Sequence, residues 1–201
     1  MSTTLTTREV WKTWFAWVTA GEFLGFLAPA LTGALTSSAP MLVFAGTAEG
    51  AILGAAQCLV LRRTFPSLSA PRWIGVTALA AGFAWAVTLL AVDHSQLLGT
   101  LPFPALLALV SVAGTGVLLS LGTGQWLVLR HHVAGAHLWV GANAVAWAAG
   151  LVVFTAFTTP LWQPGQPVAL IALIGALGGL VMAATMAAIT GSALTRLLNR
   201  S

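Results

Sequence analysis

Charge is what this sequence has least of. Only 6% of its 201 residues are Asp, Glu, Lys or Arg, against about 25% in a soluble domain. So few charges cannot cover a globule with polar surface, and most of the surface is expected to face lipid. Cysteine occurs once, as Cys58 inside an apolar run. That excludes an intramolecular disulfide and any Cys-based metal spacing, and Cys58 reads as a small core residue. The chain has four acidic and eight basic residues. Its basic balance therefore reflects scarce acids and not a basic patch, so no nucleic-acid partner is expected. There is no Asp-rich diphosphate motif, no Ser/His/Asp set and no metal-ligand set. No cofactor and no metal are implied.

What is present is apolar length: 58% of residues are hydrophobic and the mean hydropathy is +0.94. Six segments, at approximately 10–35, 41–61, 73–92, 103–129, 137–157 and 168–194, are near or above the roughly 20 residues that span hydrocarbon as a helix. None alternates with period two, as a barrel strand must. The expected fold is all-α, a polytopic membrane protein forming one membrane domain over 1–201. Arg8 and Lys12 precede the first segment as in a signal peptide. The run is longer than the usual 7–15 residues of such a leader and contains Glu22, so a retained helix is expected.

Every Lys and Arg falls in the N-terminal tail, the 62–72 loop, at Arg130 or in the C-terminal tail. With six spans these share one side. The positive-inside rule makes that side the cytoplasm, with both termini inside, in the cytoplasmic (inner) membrane. Trp11, Trp14, Trp73, Trp126 and Trp139 lie near the basic ends and read as an interfacial belt, with Trp162 at the outer face.

The segment GAAQCLVLRR (54–63) recurs as GTGQWLVLRH (122–131), and Trp73-Ile74-Gly75 recurs as Trp139-Val140-Gly141. The chain therefore reads as three parallel hairpin repeats, the third return helix having lost the Gln and the LVLR ending. Small residues recur every fourth position at Gly46/Gly50/Gly54, Gly116/Ser120/Gly124 and Gly175/Gly179/Ala183/Ala187/Gly191. Such ridges let helices approach closely in lipid. They serve packing within one subunit or, on a second reading, a contact between copies in a homo-oligomer.

GEFLGFLAPALTGA (21–34), AEGAILGAAQCLVLRR (48–63), GQWLVLR (124–130) and TPLWQPGQ (159–166) carry a resemblance over most of the chain. It resembles a group of uncharacterised actinobacterial six-span integral membrane proteins with GxxQxLVLR repeats. The resemblance implies the six-span fold and supplies no activity.

Glu22 and Glu49 are the candidate site. Both fall near mid-membrane on consecutive helices, and an ionisable group at that depth is a functional candidate by default. No Lys, Arg or His lies between Lys12 and Arg62. The carboxyls must therefore be protonated, face a wet cavity or hold a cation, unless they only bond one helix to another. Trp85 and Trp147 are candidates to line a cavity, since aromatic faces attract cations. Gln57, Gln125 and Asn143 are further candidates to line it; as amides within membrane segments they need partners, with hydrogen bonding between hairpins the favoured reading for the two glutamines. Asp93 and His94 end the third segment, as an outer mouth or a solvated helix end. His131, His132 and His137 do not fit the i, i+4 spacing of a helical metal site and read as interfacial.

Three functions follow. One is a small permease-like or channel-like protein moving protons or cations through Glu22 and Glu49. Another is an intramembrane enzyme on a lipid or isoprenoid substrate, with a Glu as general acid in an aromatic-lined cavity. The last is a non-catalytic accessory or assembly protein. A polar path to both faces favours the first, and an aromatic chamber open to one side favours the second.

Overall fold

Residues 6–200 are described by a computed structural model of the chain. Seven helices follow one another: α1 (Thr7–Leu35), α2 (Ala39–Thr64), α3 (Ala70–Asp93), α4 (Ser95–Leu98), α5 (Phe103–Leu129), α6 (Leu138–Thr158) and α7 (Val168–Leu198). Among the described residues there is no strand, and six helices, all but the one-turn α4, are long and apolar enough to cross a membrane. This is the construction of a multi-pass membrane protein embedded in a lipid bilayer.

Local chemistry sets the helix ends. The Thr6 hydroxyl accepts from the Glu9 backbone N–H, and the Glu9 carboxylate accepts in return from the Thr6 backbone N–H. This reciprocal box starts α1. Pro40, Pro71 and Pro104 occupy the first turns of α2, α3 and α5, where a missing N–H costs nothing. Arg62 and Arg63 end α2, where the helix dipole favours positive charge. Pro29 lies within α1, which stays helical through it. No spanning helix is broken into half-helices among the described residues.

The six long helices pack side by side in the order α1, α2, α3, α5, α6, α7, and α7 returns to α1, closing a ring. Close approach depends on small residues. A Cβ built on Gly50 of α2 would stand 2.7 Å from the Thr77 carbonyl oxygen and 2.9 Å from the Ala78 Cα of α3. The Gly46/Gly50/Gly54 ridge is therefore spent on α3 of the same chain. The α7 ridge is likewise spent on the chain's own residues: Gly179 faces Phe26, Gly191 faces Trp14, and Ala183 and Ala187 are fully buried. The first half of α5 is the exception. Residues 103–116 are exposed apart from the half-buried Leu106 and Ala113. A Cβ on Gly114 or Gly116 would meet nothing within 4 Å.

Trp14, Trp73 and Trp139, expected in an interfacial belt, are instead wholly buried at the centre of the ring. Each indole N–H has found an acceptor on an adjacent helix, which removes the reason for a tryptophan to sit in the headgroup layer.

A carboxyl-bearing chamber inside the helix ring

Three stripes run at four-residue spacing along α1, α3 and α6: Trp14, Val18, Glu22, Phe26 on α1; Trp73, Thr77, Ala81, Trp85 on α3; and Trp139, Asn143, Trp147, Leu151 on α6. Three more run in the opposite sense along α2, α5 and α7: Gln57, Leu53, Glu49 on α2; Gln125, Leu121, Val117 on α5; and Thr190, Met186, Met182 on α7. Residues four apart share a helix face, so the stripes stack as layers inside the ring.

The layer nearest the basic end is a sealed floor. Trp14 stands edge-on to Trp139 at 5.7 Å between ring centroids, and Trp73 lies 6.4 Å from Trp139. The Trp73 indole N–H donates to Gln57 Oε1 at 3.0 Å, that of Trp139 to Gln125 Oε1 at 2.8 Å, and that of Trp14 to Thr190 Oγ1 at 3.0 Å. The three bonds thus join α3 to α2, α6 to α5 and α1 to α7. Gln125 Nε2 donates to both Gln57 Oε1 (2.7 Å) and Thr77 Oγ1 (3.0 Å). Asn143 donates to the Trp139 carbonyl. Gln57, Gln125 and Asn143 are thus brought together under the chamber, as a bonded floor and not as its wall.

Above this floor lies a cavity of about 300 Å³, walled by all six spanning helices. Glu22 and Glu49 both line it, at 5% and 9% exposure. They stand at one level, Glu22 fifteen residues beyond Thr7 and Glu49 fifteen before Thr64, or roughly 22 Å along each helix. Gly25 makes this meeting of α1 and α2 possible: a Cβ there would lie 3.0 Å from the Glu49 carbonyl oxygen. Trp85 and Trp147 are also in the wall, with Phe26 and Phe154.

The two carboxyls differ in their bonding. Glu49 Oε2 accepts the Trp85 indole N–H at 2.8 Å. The Trp85 ring lies directly over Gly46, where no Cβ fits beneath it, so one glycine positions the donor. Glu22 Oε2 is buried without a hydrogen-bond partner, as is Thr19 Oγ1 one turn earlier. All Lys and Arg of the chain lie toward the helix ends, and none lines the cavity. Apart from the carboxyls, the indole N–H groups of Trp85 and Trp147, the Met182 thioether and the hydroxyls of Thr88 and Ser120, the side chains of the wall are hydrocarbon and aromatic ring. Both hydroxyls donate to main-chain carbonyls of their own helices.

The chamber is closed toward the basic end and open toward the other half. Thr88 and Leu151, both in its wall, are exposed. Beyond Val117 the neighbouring part of α5 is free of its neighbours, as described above.

The remaining candidates lie apart. Asp93 ends α3 and is exposed, and His94 Nδ1 lies 3.0 Å from the Leu90 carbonyl oxygen. His131 and His132 occupy the α5–α6 loop, where His132 Nδ1 lies 3.4 Å from Ser67 Oγ and its ring 6.0 Å from that of Phe65. His137 caps α6. Among the described residues no three His, Cys, Asp or Glu converge as a metal site.

The layered floor escaped the sequence reading, although its signal was present. Trp73 and Trp139 begin matched segments, and Gln57 and Gln125 each stand fourth in the matched segments 54–63 and 122–131. Compared with known proteins, the chain matches no family model, no curated sequence and no solved structure.

Proposed function

We propose that this chain binds a proton or cation at the Glu22–Glu49 pair, exchanging it with one side of the membrane as a small permease does in one of its states. One observation carries the reading: two carboxyls share one buried chamber with no basic side chain, and Glu22 Oε2 has no partner there. Leaving such an atom unpaired costs about 1–3 kcal/mol, more when it is charged, unless something arrives to pair it. The sealed tryptophan floor argues against an open channel. Passage across would need the floor to part.

The test is chemical. Dicyclohexylcarbodiimide, an apolar reagent for protonated carboxyls, is expected to modify Glu22 or Glu49 in purified protein, read by mass spectrometry of the two peptides. A water-soluble carbodiimide is expected to leave them untouched. In vesicles loaded with a pH-sensitive dye, Glu22→Gln and Glu49→Gln are each expected to lower proton-coupled flux at least about tenfold. Absence of adducts together with unchanged flux in both variants would exclude the reading.

The second reading, an intramembrane enzyme on a lipid or isoprenoid substrate, draws on the aromatic wall and closed floor. Glu22 would be its acid, and the faces of Trp85 and Trp147 would stabilise developing positive charge. A purely accessory role has no such feature in its favour.

Two finer statements belong to the same proposal. The chain is three parallel hairpin repeats, supported by the three Trp bonds at matched positions. Both termini are cytoplasmic and the membrane is the inner one, supported by the basic residues sharing one end. The family resemblance fits the first of these. The orientation is checked with Cys58→Ser and single cysteines in the 62–72 and 158–167 loops. An impermeant maleimide applied to whole cells is expected to label only the second.

A further inference from the structure

The chamber's chemistry narrows its occupant further than the reading above, on which this step rests. A metal cation is poorly served. Calcium takes six to eight oxygens and magnesium wants a near-ideal octahedron, whereas the wall offers two carboxyls and two hydroxyls whose hydrogens already serve the backbone. An anion would face two acidic groups with no basic one. A neutral lipid would fit the hydrocarbon wall and leave the two carboxyls without a charge partner.

One chemistry answers every part of the wall. A protonated amine brings N–H donors for the Glu22 and Glu49 carboxyls that line the cavity, and the Glu49 bond from Trp85 remains. Positive charge on nitrogen is attracted to the faces of Trp85 and Trp147. A hydrocarbon body suits Leu53, Leu121 and Met182. At about 300 Å³ the cavity is at the small end of ligand pockets, which run from about 300 to 1,000 Å³. It holds a head and a few carbons, with the rest of a tail left outside. The exposed, unpartnered 103–116 stretch of α5 leaves room for that tail beside the chamber, at the level of the hydrocarbon. We infer that the Glu22–Glu49 chamber is a binding site for a lipophilic ammonium, an amine-headed amphiphile reaching it from the bilayer.

The experiment uses the full chain in phosphatidylcholine nanodiscs and reads the rate of dicyclohexylcarbodiimide modification at Glu22 and Glu49. Decylammonium is expected to slow modification about tenfold or more. Decanol and decanoate, of equal length, are expected to slow it less than about twofold, as is ethylammonium, which has the head without the tail. Trp147→Leu, which removes one aromatic face and leaves both carboxyls, is expected to weaken the decylammonium effect about fivefold, read as the ratio of protected to unprotected rate within the same variant. Equal protection by decanol and decylammonium would overturn the inference, as would protection by potassium or calcium chloride alone. Equal protection by ethylammonium would remove the lipid-soluble body. Failure of the carboxyls to react at all would instead remove the proton- or cation-binding centre itself, so the two failures are distinguishable.

Discussion

Trp139→Ala is expected to cost about 3–5 kcal/mol of stability and to make reconstituted vesicles leak protons. Trp139 is the centre of the floor: its ring touches both Trp14 and Trp73, and its indole N–H holds Gln125. Truncation removes the largest side chain from a layer with no exposed surface. The neighbours are helix-borne and cannot collapse inward without dragging their helices. The Gln125 oxygen loses its donor, and the hole lies between the chamber and the basic end. Trp139→Phe separates the two contributions. It keeps a smaller aromatic ring and loses the bond, leaving the buried Gln125 oxygen unpaired, so a loss of about 1–3 kcal/mol, with less leak than in Trp139→Ala, is expected. Reversible unfolding in mixed micelles reads the first quantity, and dye-loaded vesicles read the second. A tight Trp139→Ala vesicle would mean that the floor is not the seal.

Gly50→Ala is the smallest substitution with a large expected effect. The added methyl would lie 2.6 Å from the Ala81 Cβ and closer than 3 Å to backbone atoms of α3, so a helix and not a side chain must move. Overpacking of this kind costs about 1–3 kcal/mol. The displacement also carries Trp85 away from Glu49, so carbodiimide reactivity at Glu49 is expected to change along with stability. Gly116→Ala is the matched control. Its methyl meets nothing, and alanine is favoured over glycine in a helix by up to about 1 kcal/mol, so an unchanged or more stable protein is expected. If both substitutions behave alike, the α2–α3 seam is not packed as described.

The six apolar helices were legible because hydrocarbon thickness imposes a length and forbids charge, and both are one-dimensional properties of a chain. That Glu22 and Glu49 stand at one level was legible for the same reason, since depth is counted along a helix. Their presence in one chamber was not. It depends on which way each helix is turned, and in an apolar helix every face looks alike to a periodicity argument. The tryptophans show this most plainly. Trp14, Trp73 and Trp139 sit where an interfacial belt would put them, and only the orientation of each ring separates a headgroup anchor from a buried plug. Gln57 and Gln125 were read as amides needing partners on other hairpins, and they bond to each other. What sequence spacing did not reveal was that the indoles supply the remaining donors, because Trp and Gln lie on different helices, paired by the ring's closure. The divergence of α5, tight from Val117 onward and free before it, also had no sequence signal. Its first half is as apolar and as rich in small residues as the halves that pack.

The bond from Trp14 to Thr190 joins nearly the first residue inside the membrane to nearly the last. A ribosome inserting this chain helix by helix therefore cannot finish the plug until α7 emerges. Through most of translation the Trp14 indole faces a gap, and the acidic pocket above it is a groove and not a room. Quality control of this protein is expected to turn on the final helix: a product stopped before α7 has five inserted helices and an open flank, and should be a substrate for membrane proteases.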